Sequence, residues 1–409
     1  MLLTERHTIH KGDARFTILD TEAFRSKNLY NATMYAVRQH FFDTGKYLPY
    51  ASLQKEFQES GQSDYRALPS KVAQWTMKMV DQNFRSFFKA LKAYGKNPEK
   101  FEGRPRIPKY LHKTDGRYLL TYTKQAIGKR ECEKHGVITM SGTGVSVKSA
   151  IPYDSIRQVR VFKRLDRYVV EVVYEKEDVS LVKDNGRYCA IDLGVSNFAT
   201  VTSNINGFRP YVISGRVLKS YNRWWNKEVS RAKAILATRN GGKKTSRRIR
   251  RMTEKRNNKV RDFMHKASRI VANQLASEGV STVYVGRNTG WKQDVGIGRV
   301  NNQNFVGIPY EMFISYLKYK CRMMGIAVEV VEESYTSKCS FLDTEELCKH
   351  EVYMGRRVKR GLFRSKDGRL INADVNGSYN ILRKGKPEAF DADGVEGVLA
   401  HPTVIKTVE

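Results

Sequence analysis

The second half of the chain carries an ordered run of apolar segments. Three short apolar segments, YCAIDLG (188–194), FATVTS (198–203) and PYVIS (210–214), come first. A long helical block from 222 to about 278 follows, then STVYVG (281–286), the helical IPYEMFISYLKYKCRMMG (308–325) and AVEVVEE (327–333). Three early strands followed by alternating helix and strand is the order of an α/β sheet. Pro309 and Gly325 bracket the second helix as an N1 proline and a C′ glycine, and Phe313, Tyr316, Leu317, Cys321 and Met324 give it an apolar stripe.

The upstream half reads differently. To about residue 20 there are strand-like pieces such as RFTIL, and from about 25 to 95 the period turns helical. Val80, Phe84, Phe87, Phe88 and Leu91 fall on one helical face, with Gly95 placed as a stop, while Lys78, Lys89 and Lys92 take the opposite face. FEGRPRIPKYLHK (101–113) breaks the pattern with two prolines and a basic run, and 117–177 is β-like: RYLLTYT, GVITMS, VSVKS and IRQVRVFKRLDRYVVEVVYEK. Strands on both sides of a helical block suggest one β module with helices inserted into it. A charged linker, EKEDVSLVKDNGR, separates it from the second unit.

Charge narrows the partners. Lys and Arg number 73 against 42 Asp and Glu, a net +31 over 409 residues. Such an excess implies a polyanion, since the folded chain must otherwise bear its own repulsion. Nucleic acid is the leading partner and an anionic membrane surface the weaker one. Between Lys243 and Arg269 stand twelve Lys or Arg and two acids, Glu254 and Asp262; a one-signed helix accepts repulsion that a balanced face avoids. Trp224, Trp225 and the aromatics of 110–123 suit either base stacking or a core. No stretch reaches the roughly 20 apolar residues of a spanning helix, and MLLTERHTIHKGDARF carries charges where a signal peptide has its apolar core. The five cysteines, Cys132, Cys189, Cys321, Cys339 and Cys348, are scattered, as reduced thiols in a cytosol are. A cytoplasmic nucleic-acid-binding protein is expected.

Three places hold acids that need an explanation. Asp192 ends an apolar strand just before Gly194; a structural turn cap or the phosphate strand of an actin-like ATPase reads the same way. Asp374, within LINADVNGSYNILRKG, clusters with Asn372, Asn376 and Asn380 where an apolar helix begins, and carboxylates favour helix starts in any case. Glu332 and Glu333 stand together as AVEVVEE runs out, where two solvated acids are the plain alternative.

The combined order, an acid on the first strand, a basic helix, later strands and an acid on a last helix, resembles RuvC/RNase H-type nucleases. More specifically the chain resembles the transposon-encoded, RNA-guided TnpB nucleases, relatives and ancestors of type V CRISPR effectors. The resemblance is carried by FEGRPRIPKY (101–110), IDLGVSNFATV (191–201), RNNKVRDFMHKAS (256–268), SYTSKCS (334–340) and NADVNGSYNI (372–381). It implies an α+β multidomain protein. A β-barrel-like (wedge) module at 1–24 and 101–180 would carry an inserted helical recognition domain at 25–100. An RNase H-like (RuvC) α/β nuclease domain would span 181–385, with a C-terminal tail at 386–409. The partners implied are a guide RNA and target double-stranded DNA read beside a short adjacent motif. The cofactor implied is Mg²⁺, two ions per site, on Asp192, Glu333 and Asp374, because hard cations favour clustered carboxylates. Candidate nucleic-acid contacts are Arg38, Gln39, Arg104, Arg106, Lys109, Arg247, Arg248, Arg250, Arg251, Arg256, Lys259 and Lys266.

Two departures from the family pattern stand out. The middle acid is usually a Glu at the end of the strand that here reads STVYVG. Gly286, Arg287 and Asn288 occupy that end, and the next carboxylate is Asp294. AVEVVEE is expected beside that strand, about 4.8 Å away, which makes Glu333 the candidate relocated ligand, with Glu332 in reserve because strand parity does not separate them. The family's two CxxC pairs are also missing: the interval offers Cys339, Cys348 and His350, short of four-coordinate zinc. No zinc site is expected, and 339–370 should form a metal-free basic insertion with a hairpin at 355–370. Two other functions remain from the sequence. One is a nuclease-dead RNA-guided repressor; the other is an actin-like ATPase, although no second Asp–Gly-rich phosphate loop accompanies IDLGVSN.

Overall fold

A computed structural model describes residues 1–239, 245–287, 307–390 and 401–407. The chain divides into two compact units, Met1–Glu177 and Asp178–Glu409. No helix among the described residues is long and apolar enough to cross a membrane.

In the first unit, strand β1 (Leu2–His10) leads directly into a 31-residue helix, Ala14–Thr44. RFTIL therefore lies in a helix, against the strand expectation, and the helical block starts at residue 14 rather than 25. The local reason is a cap: the Asp13 carboxylate accepts from the Arg15 backbone N–H at 2.9 Å, and Phe16 and Leu19, three apart, turn inward together. Helices Tyr50–Glu59 and Ser70–Lys96 complete the block. In the latter Val80 and Phe84 are fully buried. The helix runs past Gly95 to Lys96 and is capped by Asn97, two residues beyond the expected glycine stop. The strands β2 (Leu120–Thr123), β5 (Ile156–Arg164) and β6 (Arg167–Glu175) join β1 in an antiparallel sheet ordered β1-β6-β5-β2. β3 (Val137–Thr139) and β4 (Ser146–Lys148) pair separately. The two halves of the β module thus lie on either side of the helices in sequence, as expected.

The second unit is built on a six-stranded sheet. β7 (Tyr188–Leu193), β8 (Asn197–Ser203) and β9 (Tyr211–Ser214) form an antiparallel meander; β10 (Thr282–Gly286) and β11 (Ala327–Val331) add in parallel beyond β7. β15 (Thr403–Ile405) closes the far edge, giving the order β11-β10-β7-β8-β9-β15. Parallel neighbours need a crossover, and helices Arg247–Ser277 and Tyr310–Arg322 supply it. Their apolar faces (Val260, Phe263, Met264, Val271; Phe313, Ile314, Leu317, Cys321) are buried in one core with Ile191, Phe198, Val201, Val283 and Val285. Pro309 caps the second of these helices, one position earlier than expected, and Gly325 takes the left-handed φ of +76° after its end.

The other face of the sheet is covered by helix Ala373–Gly385. It lies close because glycines meet it. A Cβ on Gly286 would stand 2.4 Å from Ile381 Cδ1, and one on Gly385 would stand 2.4 Å from Tyr284 Cδ1. The Ser378 hydroxyl, fully buried, lies 2.9 Å from Thr202 Oγ1 and 3.1 Å from the carbonyls of Ala190 and Thr200, fixing the helix across β7 and β8. Before this helix, β12 (Arg356–Lys359), β13 (Leu362–Arg364) and β14 (Leu370–Asn372) form a small antiparallel sheet. The expected basic hairpin is present, with a third strand leading into the helix.

Candidate active site

Each of the three sequence acids is positioned by a different element. Asp192 stands one residue before the end of β7, opposite Thr200 of β8. On the other side β10 pairs in parallel with Val285 level with Ile191, so the next residue, Gly286, ends its strand level with Asp192. Neighbouring strands are about 4.8 Å apart. Asp374 is held at the start of the last helix, where Asn372 accepts from the backbone N–H groups of Asp374 and Val375 at 3.0 and 3.2 Å. One turn further on, a Cβ on Gly377 would stand 3.1 Å from Asp192 Oδ2. The absence of a side chain there lets the helix bring Asp374 alongside Asp192.

Glu333 completes the group. β11 lies beside β10, as expected, with Val331 level with Gly286. It is an edge strand and not a buried one: Val330 is 38% exposed. The strand stops at Val331, so alternation no longer governs Glu332 and Glu333, and the two part company. Glu332 turns outward to the Lys384 ammonium at 2.6 Å and accepts from the Ser334 N–H at 2.9 Å; these partners hold its carboxyl below the usual range. Glu333 turns inward, and its Oε2 lies 2.8 Å from where a Gly286 Cβ would be. The carboxylate of residue 333 therefore occupies the space in front of the strand end that lacks one of its own.

Electrostatics ties the group together. Asp192 is pushed well above the ordinary carboxylate range by burial first, then by the charges of Asp374 and Glu333, with Arg357 easing the effect. Glu333 is pushed up to about 7, chiefly by burial and then by Glu332, with Lys384 opposing. Asp374 is oriented by Asn197, whose Nδ2 donates to Oδ2 at 2.7 Å, and Arg357 Nη2 of β12 lies 3.9 Å from Oδ1. The Tyr310 hydroxyl donates to the Gly194 carbonyl at 3.0 Å, and burial followed by the charges of Asp192 and Glu333 raises its pKa. Among the described residues no set of three or more His, Cys, Asp or Glu side chains is already drawn close enough to hold a metal ion; the acids converge without closing into a cage. Asp294 lies outside the described residues.

Asn197, Tyr310 and Arg357 were not singled out in the sequence. Asn197 sits inside the quoted IDLGVSNFATV, and its signal is an amide in the turn directly after the Asp192 strand. Arg357 belongs to the basic hairpin, whose closeness to the acids only the fold reveals.

The insertion is organised by polar side chains. Glu345, 3% exposed, accepts from the backbone N–H groups of Ser340 and Met354 at 2.7 and 2.8 Å. Asn376 and Asn380 of the last helix donate to the Cys339 carbonyl at 2.9 and 2.8 Å. Cys348 Sγ is 3.4 Å from His350 Nε2, while buried Cys339 donates to the Cys348 carbonyl at 3.7 Å.

The nucleic-acid candidates separate by exposure. Gln39, Arg104, Arg106, Lys109, Arg247, Arg248, Arg250, Arg251, Lys259 and Lys266 are exposed, while Arg38 is half-buried over the Tyr110 ring at 4.9 Å. Lys266 pairs with Asp262 at 3.0 Å, and Lys259 donates to the Tyr221 hydroxyl at 2.9 Å. Arg256 turns inward instead. It donates to Asn222 Oδ1 at 2.8 Å and to the Gly307 carbonyl, and stands 5.4 Å from the Trp225 ring. Its guanidinium braces the helices.

Two segments of the chain and one curated relative are similar to known proteins. Residues 171–292 match the OrfB_IS605 family model, described as a probable transposase, and residues 310–381 match the Cas12f1-like TNB domain. The curated relative TnpB-like protein ORF457 of Acidianus two-tailed virus is 23% identical over 394 residues, 88% of this chain and 81% of its own. These matches support the resemblance to the TnpB family drawn from the sequence. Distant likenesses among solved structures include a Cas12f1–sgRNA–target DNA complex, with TM-score 0.37, 16% identity and coverage of 93% of this chain and 98% of that one. A mini-RNA-guided endonuclease, CRISPR-Cas_phi3, has TM-score 0.47 and 10% identity, covering 96% and 94%.

Proposed function

We propose that the protein is an RNA-guided DNA endonuclease whose hydrolytic centre is Asp192, Glu333 and Asp374. The observation that carries this reading is the inward turn of Glu333 over Gly286, beside Asp192 on the adjoining strand. In this reading the second unit is an RNase H-like (RuvC) nuclease domain and the first a wedge with inserted helices. The guide RNA and target DNA are the polyanions that the net +31 anticipates.

The donor set suits a hard divalent cation: three carboxylates and no sulfur, two of them with pKa values raised by burial and by like charge. Asp192, Glu333 and Asp374 would hold Mg²⁺. Bound there, the ions supply an activated water and charge stabilisation at the leaving oxygen of a phosphodiester. The chain's own residues prepare the site. Asn197 fixes the Asp374 carboxylate, and Lys384 keeps Glu332 out. Gly286 and Gly377 leave the room that the carboxylates of Glu333 and Asp192 fill.

Sequencing the RNA that co-purifies when the protein is expressed with its native flanking DNA tests the guided part. A discrete RNA with a constant scaffold and one variable end is expected. Bulk cellular RNA, unchanged when the flanking DNA is removed, would contradict it.

A further inference from the structure

The second unit holds a cavity of about 460 Å³ at the end of the sheet opposite the acids. It is lined by the turn Ile205–Arg209 between β8 and β9, by Tyr211, by Gln274 and Glu278 near the end of the basic helix, by Arg187 just before β7, and by Thr403 and Ile405 of β15. β7 runs from Tyr188, the residue after Arg187 of the cavity wall, to Asp192, roughly 13 Å at the usual strand rise. The cavity is therefore separate from the proposed hydrolytic centre.

Three observations describe what it would take. Its volume lies within the range of small-ligand sites, which are concave, partly apolar and furnished with a few converging polar groups. Part of its wall is aromatic and aliphatic: Phe208 and Tyr211 have ring centroids 6.1 Å apart, and Ile205 and Ile405 also line it. Its polar groups are of two kinds. Arg187 and Arg209 are exposed at the rim, and neither has an ion-pair partner among the described residues. Deeper in, Gln274 Nε2 donates to Glu278 Oε1 at 3.2 Å. The Tyr211 hydroxyl is buried, in a residue 4% exposed, and has no hydrogen-bond partner among the described residues. A buried hydroxyl left unpaired costs about 1–3 kcal/mol, and such groups are seldom left unsatisfied.

We propose that this cavity binds a nucleotide, with its phosphate on Arg187 and Arg209, its base against Phe208 and its edge towards Tyr211, Gln274 and Glu278. An aromatic face accepts any base by stacking. The Gln274–Glu278 pair and the Tyr211 hydroxyl offer both donors and acceptors to its edge. Arginine is suited to phosphate through its paired N–H groups. The same chemistry serves a free nucleotide or one nucleotide of a bound strand. The proposal does not depend on the acids being catalytic.

Calorimetric titration of RNA-free protein with AMP, GMP, CMP and UMP, beside the corresponding nucleosides and inorganic phosphate, is the test. Saturable binding of at least one monophosphate is expected, weakened about tenfold in Arg209→Gln and several-fold in Tyr211→Phe. The second variant removes one oxygen atom, so misfolding is not its expected outcome. If no free nucleotide binds, ultraviolet crosslinking of the RNA–protein complex should place a nucleotide on Phe208 or Tyr211, lost in Arg209→Gln; that result assigns the site to a strand. The proposal is overturned by neither signal appearing, by inorganic phosphate binding as tightly as the monophosphates, or by binding that both variants leave unchanged.

Discussion

Adding one carbon at Gly286 tests the packing that puts Glu333 in place. In Gly286→Ala the new Cβ would meet Ile381 Cδ1 at 2.4 Å, Ile381 Cγ1 at 3.0 Å and Glu333 Oε2 at 2.8 Å. Ile381 is fully buried in one cluster with Ala190 and Tyr284, so its side chain moves aside only by displacing packed neighbours. Overpacking of this kind costs about 1–3 kcal/mol, and the carboxylate must shift as well. Gly286→Ala should therefore lower stability by that amount in urea unfolding and lower DNA cleavage by more than the stability loss explains. Ile381→Val removes the nearest atom. Alone it should cost about 0.5–1.5 kcal/mol, but in the Gly286→Ala background it should restore stability, with a coupling energy of about 1 kcal/mol or more in a double-mutant cycle. A Gly286→Ala protein within about 0.5 kcal/mol of wild type, with additive behaviour of the pair, would refute the close approach of helix and strand.

Three further outcomes are expected. Gly377→Ala, whose Cβ would lie 3.1 Å from Asp192 Oδ2, should reduce cleavage far more than it reduces guide-RNA affinity, measured on the same preparation. Glu345→Ala leaves the N–H groups of Ser340 and Met354 without their acceptor; a loss of about 2–4 kcal/mol is expected, with faster amide exchange across 340–354 and little change in the six-stranded sheet. Lys320 is 2% exposed and donates to the His265 carbonyl and the Ser268 hydroxyl, and burial lowers its pKa from 10.5 to about 8. Below pH 8 the ammonium is charged in both states and the fold carries the full cost of burying it. Between about 8 and 10.5 the folded state sheds its proton first, so wild type should gain up to about 3 kcal/mol relative to Lys320→Met across that window, read by urea unfolding at each pH. A flat difference would remove Lys320 as the cause.

The sheet was legible because its signals are local and repeated. β7 to β11 are apolar runs of ordinary strand length, and helix Tyr310–Arg322 carries a stripe that survives any tertiary context. RFTIL was misread because Phe16, Ile18 and Leu19 are too short a run to distinguish period 2 from period 3.6; the deciding signal was Asp13, a cap that lies before it. Sequence parity left Glu332 and Glu333 undivided, since alternation ends where the strand ends. What separates them is Lys384, fifty-two residues on, which takes Glu332 outward. Arg357 is seventeen residues from Asp374, and only the folded hairpin brings the two together. Arg256 shows the opposite error: a run of cations reads as one surface, yet one of its members is spent on Asn222 and Gly307 inside the fold.

Cleavage of a plasmid carrying the guide's target beside a randomised flank, by wild type, Glu333→Gln and Glu332→Gln, is the most direct test of the proposed centre. Wild type should cut in the presence of Mg²⁺, Glu333→Gln should bind the target without cutting, and Glu332→Gln should cut nearly as wild type does. Loss of cutting in Glu332→Gln with Glu333→Gln active would contradict the assignment, and guided binding by wild type with no cutting at all would make the protein a repressor.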